Sequence, residues 1–212
     1  IVIVQCMSPA VNASPQPESV GRVSVHMVPD ADYLVNVIRR LQPSVRNLAV
    51  LSIVDLPHGY LTGLRQSGAD LGVNIVEVRP RHADELPSRL RSLEETGIDA
   101  LWLAPDPLLI SAQTFAVLKE YARVNRVPFY APPAGFVAAG AMASVAPSFE
   151  QIGAEAAAAA RALLIGGDLA PERFPQVAQI TLSPVAALRS GLRVEDFEGY
   201  VDLLVDPAEG RR

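Results

Sequence analysis

Residues 99–131 read DALWLAPDPLLISAQTFAVLKEYARVNRVPFYA, and this stretch decides the fold. Asp99 to Ala104 is a continuous apolar run stopped by Pro105-Asp106-Pro107, which suits a strand buried on both faces and ended by a turn. Ser111 then stands where a hydroxyl caps a helix, and Phe115, Leu118, Tyr121 and Ala122 recur at the spacing of one helical face through Asn125. Val127 to Tyr130 is a second β-branched and aromatic run. Strand, helix and strand in succession make a βαβ crossover, which implies parallel pairing.

The same alternation extends in both directions. Ile1 to Cys6, Asn47 to Val54 and Val73 to Val78 read as further buried strands. Helical faces are formed by Leu34, Val37, Ile38 and Leu41, by Leu61, Leu64 and Leu71, and by Leu86, Leu90 and Leu93. Residues 44–131 thus supply a whole Rossmann-like lobe. Beyond it, Gly140 to Val145 reads as a strand, and Ser148 with Gln151 forms a capping box that opens an alanine-rich helix ending at Gly166-Gly167. A Pro-rich connection, Pro171 to Pro175, leads to a short strand, Val177 to Leu182, and a closing segment, Ser183 to Leu192. The expected architecture is α/β, with two Rossmann-like lobes built on parallel sheets. Residues 1–41 plus 141–172 form an incomplete first lobe, 44–138 plus 176–192 a second, and 193–212 a C-terminal tail. Hinges are expected near 41–44, 132–141 and 172–177.

Half of the 212 residues are apolar, enough for a sizeable core. Eighteen basic against twenty-three acidic residues give a net charge of −5, with no like-charge run longer than a pair, so no nucleic-acid or anionic-membrane footprint is present. The longest apolar-rich stretch, Ile152 to Ile165, is broken by Glu155 and Arg161 and falls short of a membrane span. The single cysteine, Cys6, has no intrachain disulfide partner and reads as a small buried hydrophobe.

Three stretches resemble the type I periplasmic-binding-protein superfamily, and within it the ABC-transporter substrate-binding proteins that include aromatic amino-acid receptors. Leu41-Gln42-Pro43 followed by Val45 to Leu51 looks like that family's lobe-joining helix, proline and first strand of the second lobe. Asp99 to Ser111 is similar to its strand ending in an aspartate before a helix-capping serine. Gly140 to Gly167, GAMASVAPSFEQIGAEAAAAARALLIGG, resembles its Gly-Ala strand, Pro, aromatic, Ala-rich helix and Leu-x-Gly signature. Two positions differ: Ser183 stands where the family has Asn, and the loop Asp55 to Tyr60 replaces a small hydroxyl residue. The resemblance implies a two-lobed receptor outside the cytoplasm that captures a small solute, an amino acid or another small polar or aromatic compound, and delivers it to a membrane permease. It also implies that a leader and roughly two βα units of the first lobe precede Ile1.

In open parallel sheets, ligands sit beyond the carboxyl ends of the strands. Asp106, at such an end, either pairs with a ligand ammonium or hydroxyl or caps the turn that follows. Asp55, His58 and Tyr60 cluster after a strand and offer polar recognition beside an aromatic wall, unless Asp55 and Pro57 merely shape a turn. Ser8 either donates a hydroxyl or is a turn residue before Pro9. Phe136 either stacks on ligand or closes the core, and Trp102, in mid-strand, reads as packing.

No catalytic constellation emerges. His26, His58 and His82 lack the close spacing of metal ligands, no phosphate loop or nucleophile elbow is present, and no cofactor is called for. The rival reading is a ligand-sensing or scaffold domain of a regulatory system, since lactose-repressor-type cores share the two-lobe architecture.

Overall fold

A computed structural model of the chain describes residues 2–7, 21–193, 197 and 199–205. The apolar runs become two sheets. The larger has seven strands in the order β10 (Leu203–Leu204), β9 (Gln179–Leu182), β7 (Ala143–Ala146), β6 (Phe129–Tyr130), β5 (Ala100–Leu103), β3 (Asn47–Leu51), β4 (Asn74–Val78). All of its pairings are parallel except β7 with β9. The smaller has three parallel strands in the order β1 (Val2–Met7), β2 (Gly21–His26), β8 (Glu172–Arg173).

Side chains alternate along each strand, and that alternation builds two cores around the larger sheet. Leu48, Val50, Ala100, Trp102 and Ala104 point to one face, where α1 (Ala31–Leu41) and α2 (Tyr60–Asp70) bring Leu34, Ile38, Leu41 and Leu64. Ala49, Leu51, Leu101 and Leu103 point to the other, against Leu86, Leu90 and Leu93 of α3 (Leu86–Thr96) and Phe115 and Leu118 of α4 (Ala112–Asn125). Each fully buried leucine, isoleucine or valine among them contributes about 1.5–3 kcal/mol. The remaining helices are α5 (Ala134–Ala139), α6 (Phe149–Leu164) and α7 (Pro184–Arg189). Ser148 and Gln151 make the expected capping box at the start of α6, which lies against β1 and β2.

The division of the chain differs from the expected one. Residues 31–41 pack as α1 on the larger sheet, because the apolar face of Leu34, Val35, Ile38 and Leu41 is buried there with Leu48 and Leu64. Strand β7 also belongs to the larger sheet, between β6 and β9, so only α6 and β8 of residues 141–172 accompany the smaller one. The chain therefore crosses between sheets at residues 27–30, 147–148 and 174–178. Residues 41–44 and 132–141 are internal connections of the larger unit, whereas the third expected hinge, 172–177, overlaps the last crossing.

Candidate functional site

Every crossing begins where a parallel strand ends: His26 closes β2, Ala146 closes β7 and Arg173 closes β8. The crossings are short, so the carboxyl-end edges of both sheets meet at one junction, the place where open α/β sheets receive ligands.

The junction is held by aromatic side chains from both units. The Tyr60 hydroxyl, at the start of α2, donates to the carbonyl of Pro29 at 2.8 Å, and Tyr33 of α1 donates to that of Ala178 at 3.2 Å. The first and third crossings are tied together by the Asp30 N–H on the Pro175 carbonyl, at 2.9 Å. Phe174 lies between Tyr60, at 5.1 Å between ring centroids, and His26, stacked at 4.7 Å and 15°. Burial, with a smaller contribution from the Asp30 carboxylate, pushes the Tyr60 phenol well up, so it remains a donor.

His26 is 4% exposed, and its Nε2 lies 3.4 Å from Oε2 of Glu172. Neither of these atoms nor His26 Nδ1 makes a hydrogen bond among the described residues. Burial lowers the imidazole pKa from 6.5, and the charge of the nearby Glu172 carboxylate opposes that shift. Sequence reasoning missed this cluster because it read no strand at 21–26. The signal was present in Arg22-Val23-Ser24-Val25-His26, but there polar residues alternate with valines, and both Ser24 and His26 turn out to be buried.

Asp106 is fully buried. Its Oδ2 accepts from the N–H groups of Ile53 and Val54, at 2.5 and 3.0 Å, and from the Ser52 hydroxyl at 3.4 Å; Oδ1 accepts from Leu108 N–H at 2.8 Å. The carboxylate thus braces the loop after β3 against the loop after β5. Of the two roles open to it, capping its own turn is realised and extended to a second loop. Tyr60, only 3% exposed, is turned to the first crossing, and Phe136 stacks on Phe115 at 4.7 Å in the core.

Asp55 and His58 are exposed on the braced loop, beside the first turn of α2, which has no side-chain cap. Arg79 pairs with Asp55 at 2.5 Å across a solvent-exposed edge. By contrast Asp30, Ser111, Ser148 and Ser183 cap α1, α4, α6 and α7. An uncapped helix start leaves N–H groups pointing outward and favours negative charge or acceptor atoms. Ser8 and the side chain of Cys6 lie outside the described residues.

Comparison with known families matches residues 11–190 to a family described as ABC transporter substrate binding protein. No curated protein matches the sequence. Among solved structures, the chain is similar to a domain from Streptococcus pneumoniae solved in complex with L-Trp, at TM-score 0.65 and 18% identity over 88% of this chain and 65% of that one. It is similar to a conserved domain protein from Vibrio cholerae, at TM-score 0.63 and 18% identity over 88% and 63%. A substrate binding protein with adhesive properties from Clostridium difficile, in a ligand-free, open form, gives TM-score 0.62 and 18% identity over 88% and 62%. The chain thus spans slightly under two thirds of the length of these solved chains.

Proposed function

We propose, because this chain belongs to the ABC transporter substrate binding protein family, that it captures a small solute where its two sheets meet and presents it to a membrane permease outside the cytoplasm. The observation that carries this reading is the convergence of three crossings on the carboxyl ends of β2, β7 and β8. A ligand there touches both units, and rotation about 27–30, 147–148 and 174–178 closes them around it. Closure is driven by contacts that the ligand makes only in the closed state.

The polar groups offered to a solute are Asp55, His58 and the uncapped start of α2, while Asp106 holds their loop in place. This set suits a small molecule with both an acceptor group and a cationic or hydroxyl group. A structure of the same fold holds L-Trp, which makes aromatic amino acids the first ligands to test.

The test is thermal unfolding with L-tryptophan, L-phenylalanine, a nucleoside, a sugar and a dicarboxylate. A ligand at a hundred times its dissociation constant adds about 2.7 kcal/mol to the folded state. One chemical class is expected to raise Tm, and Asp55→Ala and His58→Ala each to weaken that ligand roughly tenfold with Tm of the free protein unchanged. Absence of a shift with every class would sink the receptor reading.

A further inference from the structure

A second concave surface lies at the opposite pole of the larger unit, where β6 and β7 begin rather than end. It encloses about 220 Å³ between the ends of α4 and α5 and one side of α7. Its floor is apolar: Val127, Phe129 and Met142 are each at most 7% exposed, and Ala186 completes it. Its rim carries Lys119, Arg123, Arg126 and Arg189 against one carboxylate, Glu120.

Two of the four cations are occupied. Arg123 holds Glu120 through two hydrogen bonds, at 2.8 and 2.6 Å. Lys119 donates to the Ala139 carbonyl at 3.3 Å, and its stem crosses Gly140 so closely that a Cβ there would come within 2.7 Å of Cδ. The side chains of Arg126 and Arg189 make no hydrogen bond or ion pair among the described residues, so both guanidinium groups keep all their donors.

Arg126 has a further peculiarity. It ends α4 with φ 54°, and among the described residues it is the one non-glycine in the left-handed region. Local backbone preference places glycine at such a helix end, as Gly140 does after α5. An arginine there supplies a guanidinium at a position where the backbone alone favours its absence.

We propose that this groove is a second binding site, distinct from the junction, for an anionic group carried on an apolar body, with Arg126 and Arg189 holding a carboxylate and the floor receiving an aryl or alkyl portion. An unpaired guanidinium fork recognises a carboxylate bidentately, and the apolar floor discriminates against small hydrated anions. The helix ends around it discourage anions in general, so the two arginines carry the affinity.

The test uses phenylbutyrate, with phenylbutylamine as a control of the same body and opposite charge. Met142 is one of three methionines in the chain, so its labelled methyl group reports on the groove in a simple NMR spectrum, with the signals of Met7 and Met27 as internal references. Phenylbutyrate is expected to shift the Met142 signal saturably, and phenylbutylamine not to. Arg126→Gly suits the left-handed backbone and leaves folding intact, and it is expected to weaken phenylbutyrate by roughly tenfold, as is Arg189→Gln. A Met142 signal that stays still at about 10 mM probe, where even weak millimolar sites fill, would overturn the proposal. Equal shifts with the amine, or undiminished binding by both variants, would overturn it as well.

Discussion

The two sheets are built from similar short strands but are covered very differently. In the larger one, neighbouring residues of a strand enter separate cores: Val50 faces α1 and α2 while Leu51 faces α3 and α4. In the smaller one, α6 is the helix packed on β1 and β2 among the described residues, and it buries little beyond Ile152 and Ala159. The large apolar residues at its ends stay open, Phe149 at 83%, Leu164 at 75% and Ile165 at 82% exposure. Strands covered on both faces hold themselves together. In β2 Val23, Ser24, Val25 and His26 are buried as well, but part of that cover comes from the aromatic junction and the crossings rather than from helices.

The largest expected effect therefore lies in the larger unit. Asp106→Ala removes a buried carboxylate that satisfies three backbone N–H groups and a hydroxyl, and it is expected to destabilise global unfolding by about 3–5 kcal/mol. Chemical denaturation measures it, and a loss below about 1 kcal/mol would show the brace to be dispensable.

A matched pair tests the contrast itself. Val50 in β3 and Val25 in β2 are equally buried, at 1% and 0% exposure. Val50→Ala is expected to cost about 2 kcal/mol in global unfolding, from two lost methyl groups and the space they leave. Val25→Ala is expected to cost under about 1 kcal/mol in the same measurement while accelerating amide exchange in β2, because the smaller unit opens sub-globally. Equal costs for the two valines would break the comparison and make the molecule a single cooperative block.

The same contrast explains what was legible in the sequence. Strands β3, β5 and β6 were visible as apolar runs because burial on two faces demands such runs, edge strand β4 showed through Ile75 and Val78 although Asn74 and Glu77 are exposed, and the helices between them showed their apolar faces. The type I periplasmic-binding fold followed from that alternation together with the Gly140–Gly167 signature. Strand β2 was not visible, since it buries Ser24 and His26 beside its valines, and β8 and β10 are two residues each. The partition of α1 and β7 was misread because periodicity reports that a face is buried, not which sheet buries it. Asp106, Tyr60 and Phe136 were read as candidates to touch a ligand, and all three turn inward, Asp106 and Tyr60 at 0% and 3% exposure and Phe136 onto Phe115; a strand-end position cannot tell a side chain that faces solvent from one that turns inward to brace a loop.

The smallest effect concerns the junction, where the less covered unit meets the other. His26 sits at the end of β2 with its imidazole against Phe174 and Glu172, and burial holds its pKa below 6.5. A group whose folded pKa is depressed in this way is neutral in both states at higher pH and adds no pH dependence there. As pH falls below about 6.5, the unfolded chain takes up the proton first, so stability declines until the folded imidazole titrates too. Tm is therefore expected to fall more steeply with acidification in the wild-type protein than in His26→Gln, and the difference between the two cancels the background of carboxylates and the other histidines. The carboxylate of Glu172 works against the burial effect, so Glu172→Gln is expected to steepen the decline. Should His26→Gln follow the wild type across the whole range, the imidazole would be as free to charge in the folded protein as in the unfolded chain. The junction would then be a solvated seam rather than a packed one, and the smaller unit would have to draw its stability from α6 alone.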